Sequence, residues 1–157
     1  MKPKVYVETT VVSYLTAWGS RDLIVAAHQK LTREWWRRRR GEFELYCSQL
    51  VTQEASGGHK DAAQRRLQVL QALPLLEISD AAKELARLLA KSAAIPKKAA
   101  EDALHIALAT VHGMDYLLTW NCKHIANAEV QRSVAATCRL RNYEPPVICT
   151  PEELMGD

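Results

Sequence analysis

Five short runs of β-branched, aromatic and leucine residues recur along this chain, and a helical pattern fills nearly every gap between them. The runs are Lys4 to Val7, Phe43 to Cys47, Leu75 to Ile78, Tyr116 to Leu118 and Val147 to Cys149. Each is too short for a helix and reads as a buried strand. That alternation constrains the fold more than any other feature. Parallel neighbours need a crossover of about a dozen residues or more, normally a helix, so the chain predicts an α/β domain with a mainly parallel sheet.

The helices are bounded by their own signals. Thr9 or Thr10 suits the cap of a short helix holding Val12, Tyr14 and Leu15. A longer helix is predicted from Asp22 to Arg39, with Leu23, Ala27, Leu31 and Trp35 along one face and Gly41 as its end. Ser48 is placed to cap a helix that carries Glu54 and stops at Gly57-Gly58. Asp61 to Leu73 is the next helix, with Ala63, Leu67 and Leu70 on one face, and Ser79 then caps the helix of Ala82, Leu85, Leu88 and Leu89. Pro96 marks a helix start, with an end near His112 and a stop at Gly113. Ala128 to Leu140 is a further helix, and Thr150-Pro151-Glu152-Glu153 is a capping-box pattern that predicts a last short one.

The 157 residues suit a single domain spanning 1–157, with no internal repeat, low-complexity tract or dividing linker. A net charge of +3 permits contact with nucleic acid without demanding it. Cys47, Cys122, Cys138 and Cys149 show no CxxC spacing, which argues against structural zinc or a redox dithiol and for buried free thiols. No apolar stretch approaches the roughly 20 residues that span a bilayer, so no membrane association is expected and a cytoplasmic location follows by default. No GxGxxG follows the first strand, which removes a dinucleotide-binding reading.

Three carboxylates, Glu8, Glu54 and Asp102, sit where strands hand over to helices or near a helix start. Ligands of parallel sheets gather at the carboxyl ends of the strands, where these acids can converge. Acids brought together repel unless a divalent cation holds them, and Mg²⁺ and Mn²⁺ want oxygen ligands. A fourth position, Asn121, lies three residues past the fourth strand in LLTWNCKHI, where another acid would be expected.

The segments VYVETTVVSYL, SQLVTQE, EDALHIALAT, DYLLTWNCKHI and PVICTPEEL succeed one another over nearly the whole chain. In that order they resemble the PIN domain, and most of all the single-domain ribonuclease toxins of the VapC type in bacterial and archaeal toxin–antitoxin pairs. The resemblance implies a three-layer α/β/α sandwich with a mainly parallel central sheet. It also implies an endoribonuclease that hydrolyses RNA with Mg²⁺ or Mn²⁺, forms homodimers and is silenced by a small antitoxin protein. By motif, Glu8 matches the acid after the first strand, usually aspartate, Glu54 the glutamate of the second motif and Asp102 the aspartate opening the third. These three are the expected metal ligands. Asn121 falls where many members carry a fourth acid, and is expected to retain an oxygen that positions a water. Thr10 and Thr119 match hydroxyl positions that often line such sites. One missing charge at Asn121 also supports a second reading, a catalytically silent PIN-like domain that binds RNA or a partner protein.

Other features have plainer explanations beside sharper ones. Glu101 points about 100° away from Asp102 and reads as solvated surface. His105 reads as a hydrogen-bonded, partly buried structural residue, and His124 as surface. Trp35-Trp36-Arg37-Arg38-Arg39-Arg40 fits an RNA-binding patch, a solvated helix end or a partner surface. Lys97 and Lys98, one turn before Asp102, are placed to meet a substrate phosphate.

Overall fold

The strand–helix alternation is realised in full by the computed structural model, which describes residues 1–92, 95–96 and 99–157. Strands β1 (Lys4–Val7), β2 (Glu44–Ser48), β3 (Leu75–Leu76), β4 (Tyr116–Leu118) and β5 (Val147–Cys149) form one sheet in the order β3-β2-β1-β4-β5. Every neighbouring pair is parallel. The helices are α1 (Thr9–Thr16), α2 (Leu23–Arg39), α3 (Gln49–Ala55), α4 (Lys60–Leu70), α5 (Asp80–Ser92), α6 (Ala100–Val111) and α7 (Ala128–Leu140). They fall into two packed groups: α1 against α2, α3 and α4, and α5 against α6 and α7. The result is the expected three-layer α/β/α sandwich.

β1 lies at the centre, and Val5, Tyr6 and Val7 are all fully buried because helices cover both faces of the sheet. Tyr6 points towards α6, and the alternation of a strand sends Val5 and Val7 to the opposite face. Burial of each valine contributes on the order of 1.5–3 kcal/mol. That apolar anchoring offsets the cost of running β1 straight into a buried acid, Glu8. The chain moves outward from β1 to β2 and β3, then crosses back to β4 and β5 on the other side. At that reversal the connections after β1 and β4 part, which opens a crevice at their carboxyl ends. The Glu8 amide still donates to Leu118 O at 3.1 Å, so the β1–β4 ladder continues to the crevice edge.

Several boundaries differ from expectation, each for a local reason. Neither Thr9 nor Thr10 caps α1; Glu8 occupies the cap position, and no side chain caps it. On α2 the packed residues are Gln29, Thr32 and Trp35, whereas Leu23 and Ala27 are exposed and Leu31 is half-buried. Gln29 is drawn inward because its amide holds Ser20 N–H at 3.0 Å and Trp18 O at 3.2 Å. α2 runs into a single 3-10 turn, Arg40–Glu42, that contains Gly41. α4 closes at Leu70, and β3 is confined to two residues. Pro96 does not start the helix: Ala99 N–H donates to Pro96 O at 2.8 Å, and α6 begins only at Ala100.

α6 does not divide into an apolar face and a separate acidic one. Ala103 and every residue from His105 to Thr110 are buried, so the helix is enclosed nearly all round. It ends as expected at Gly113, whose positive φ of 67° lets Met114 N–H reach back to Ala109 O at 2.9 Å. The capping box at Thr150 and Glu153 forms in both directions, at 2.9 and 3.3 Å, yet encloses one turn rather than a helix.

Candidate active site

Glu8 leaves β1 in an extended conformation and is only 3% exposed. Its Oε1 accepts the hydroxyls of Thr10 at 2.5 Å and Thr119 at 2.6 Å. Those same hydroxyls accept backbone N–H groups from the loop after β4: Thr10 from Trp120 at 2.8 Å, Thr119 from Asn121 at 2.9 Å. The carboxylate is therefore tied to both walls of the crevice. Trp120 braces the loop further, with its indole N–H on Thr32 at 2.7 Å and its ring stacked 4.0 Å from His28. Both hydroxyl bonds fall on Oε1.

Glu54 arrives from α3, whose first turn is fixed by Ser48 Oγ accepting Val51 N–H at 3.3 Å. Its Oε1 accepts the Thr9 hydroxyl and lies 2.7 Å from His105 Nε2. His105 is fully buried on α6, and its Nδ1 lies 2.7 Å from Tyr6 Oη, which in turn lies 2.8 Å from Ser48 Oγ. Burial pushes the Glu54 carboxyl up, but the hydrogen bond and charge of His105, with the Thr9 hydroxyl, hold it well below the usual carboxylate range. Burial pulls the His105 imidazole down, and the Glu54 bond with the charges of Glu8, Glu54 and Asp102 raises it above its usual value. The two are held together by a short hydrogen bond that strengthens to an ion pair when the imidazole is protonated. Ligand atoms of Glu8, Glu54 and His105 lie within 4.8 Å of one another.

Asp102, in the first turn of α6, stands beside this group rather than within it. Its Oδ1 accepts Asn121 Nδ2 at 3.2 Å. Burial raises its carboxyl and Glu54 adds to the rise, against the lowering influence of His105, His124 and Asn121. The Asn121 oxygen is already committed to His124 N–H at 3.0 Å, so the amide bridges Asp102 to its own loop. Glu101, expected to be plain surface, leans on Glu54: a hydrogen bond with that carboxyl is the leading cause of its raised proton affinity.

The donor set suits a hard divalent cation. Carboxylate oxygens of Glu8 and Glu54 lie close together beside His105, with Asp102 adjacent. A raised histidine contributes stability below its unfolded value, near 6.5, and loses it as pH rises through the folded value. The raised acids Asp102 and Glu101 act in the same direction. Glu54, being depressed, loses its contribution only at strongly acidic pH. The metal-free protein is therefore expected to unfold at lower urea concentration at about pH 8.5 than at about pH 6. A midpoint that climbs steadily between them would show His105 to be neutral in the fold.

Sequence reasoning missed Thr9 as a partner of Glu54 and the Tyr6–Ser48 link behind His105, and read Glu101 as solvated surface. Only the adjacency of Thr9 and Thr10 to Glu8, and the spacing of Glu101 and His105 around Asp102, carried a signal. Lys97 and Lys98 lie outside the described residues. In the arginine run, Arg38 pairs with Glu34, Arg39 with Glu42, and Arg40 lies over the Trp36 ring at 4.4 Å. Trp35 is fully buried, which favours a structural helix end over an RNA patch. All four cysteines are free; Cys47, Cys138 and Cys149 are buried as expected, but Cys122 is exposed. Among the described residues no helix is long and apolar enough to cross a membrane.

A chain in the crystal structure of VapBC2 from Rickettsia felis, bound to a DNA fragment from their promoter, shares this fold. It superposes with a TM-score of 0.51 over 94% of this chain and 98% of that one, at 14% identity. A comparison with curated proteins gives no significant match. The family model of the PIN domain matches residues 5–128, a span that holds Glu8, Glu54, Asp102 and Asn121. With that match over most of its length, the chain belongs to the PIN-domain family.

Proposed function

We propose that this protein is an endoribonuclease that hydrolyses RNA phosphodiesters with Mg²⁺ or Mn²⁺, and acts as the toxin of a toxin–antitoxin pair. One observation carries the reading: the carboxylates of Glu8 and Glu54 meet beside His105, with ligand atoms within 4.8 Å of one another, at the point where the strand order reverses. Glu8, Glu54 and Asp102 would hold the ion, directly or through water. Bound there, it would polarise the phosphoryl oxygen, activate a water and steady the leaving oxygen. The chain's own part is to keep these carboxylates ionised and aimed. Thr9, Thr10 and Thr119 fix the oxygens that face the protein, and Asn121 keeps Asp102 turned towards the crevice. Water is the nucleophile: its oxygen bonds to phosphorus in line as the opposite phosphorus–oxygen bond breaks, and its proton leaves to solvent or a carboxylate.

The VapBC2 neighbour supports a small antitoxin partner. Trp18, Leu23 and Ile24, all largely exposed near the start of α2, offer an apolar surface for that protein or for a second copy in a homodimer. An RNA substrate and a co-expressed inhibitor both agree with a cytoplasmic location. Asn121 supports the second reading, a catalytically silent domain, because it supplies no charge and its amide nitrogen and oxygen each already bond within the chain.

A fluorogenic RNA cleavage assay separates the two. The chain is expected to cut with Mn²⁺, to stop with EDTA and to resume when Mn²⁺ is restored. A blank result in all three conditions would leave the silent reading standing.

A further inference from the structure

His105 and Tyr6 are buried polar groups that the proposed chemistry does not itself require. An apolar side chain would fill either position at lower desolvation cost, so their retention calls for a physical reason. Together they close a ring of hydrogen bonds. Ser48 Oγ caps α3, α3 carries Glu54, Glu54 meets His105 Nε2, His105 Nδ1 meets Tyr6 Oη, and Tyr6 Oη returns to Ser48 Oγ. The ring joins β1, the end of β2, α3 and α6, the elements that carry all three acids. Both ring nitrogens of His105 are used, and the imidazole is fully enclosed, so it has no freedom to turn. Against the ionised Glu54 carboxylate Nε2 must be the donor; the Tyr6 hydroxyl donates to Nδ1 when the imidazole is neutral and accepts from it when the imidazole is protonated, reversing its bond with Ser48 to match.

We propose that His105 is a positioning residue for Glu54: it occupies Oε1 and turns Oε2 towards the crevice, while Tyr6 locks the imidazole in place. This rests on the reading of the crevice as a metal site. Groups that orient a ligand without touching the ion are worth about 10–100-fold in metal affinity when removed.

The experiment measures Mn²⁺ affinity by electron paramagnetic resonance on the full chain without RNA, beside the thermal unfolding midpoint. His105→Leu is expected to weaken Mn²⁺ binding by about 10–100-fold. Tyr6→Phe, which leaves the bond to Glu54 but frees the ring, is expected to weaken it less. His105→Gln restores an N–H donor to Glu54 and is expected to recover most of the loss. A merely structural histidine would shift the unfolding midpoint and leave affinity unchanged in folded protein, which would overturn the proposal. Wild type that binds Mn²⁺ but cuts no RNA would remove the nuclease reading and leave the positioning role intact. Wild type that binds no Mn²⁺ would overturn both.

Discussion

Asp102→Asn is expected to abolish RNA cleavage while the chain stays folded. The asparagine is isosteric, and its Oδ1 can still accept Asn121 Nδ2, so the link between α6 and the loop after β4 survives. Burial already raises the Asp102 carboxyl, so removing its charge relieves a desolvation cost rather than creating one. What disappears is one of three anionic groups at the crevice. Residues that only orient a metal's ligands cost about 10–100-fold, so loss of a direct holder should exceed about 100-fold in kcat/KM. The measurement pairs cleavage rates at saturating Mn²⁺ with a urea unfolding curve. An unfolding midpoint at or above wild type, with activity gone, is the expected pair. Unchanged metal-dependent cleavage would sink the site assignment.

Asn121→Asp should push in the opposite direction and do so through the ion. One carboxylate oxygen can keep the His124 N–H, but the other replaces a donor 3.2 Å from Asp102 Oδ1. Two like charges about 4 Å apart repel by roughly 4 kcal/mol at an effective dielectric near 20, before proton uptake or relaxation reduces it. In EDTA the variant is therefore expected to melt below wild type, with the gap closing as pH falls and a proton is shared. Mn²⁺ should reverse the order. Affinity is expected to rise at least about tenfold, which is about 1.4 kcal/mol of added attraction. Titration calorimetry gives the affinity, and the same samples in the RNA assay report competence. Cleavage that appears only in the variant would mark the natural chain as silent; equal Mn²⁺ affinity in both would place Asn121 outside the ion's reach.

The elements were largely legible because their signals are local. Val5 to Val7 and Val147 to Cys149 announce strands by branching and length, and Ser48 and Gly113 mark the start of α3 and the end of α6 by local chemistry that needs no tertiary partner. α2 was misread for the opposite reason. Its apolar stripe through Leu23 and Ala27 faces solvent, because Gln29 and Thr32 turn inward to hold Trp18, Ser20 and Trp120. A polar side chain is buried when a specific partner meets it, and hydropathy carries no record of that partner.

The same division runs through the site. Order along the chain, taken with the resemblance to the PIN domain, nominated Glu8, Glu54, Asp102 and Asn121. The fold alone decided their states: Glu8 bound by two threonines, Glu54 paired with His105, Asp102 met by an amide whose oxygen is spent elsewhere. Identity and spacing are properties of the covalent chain. Hydrogen-bond partners and proton affinities belong to distances between residues about a hundred positions apart, such as Tyr6 with His105 and Glu8 with Thr119, and those distances exist only once the sheet has closed.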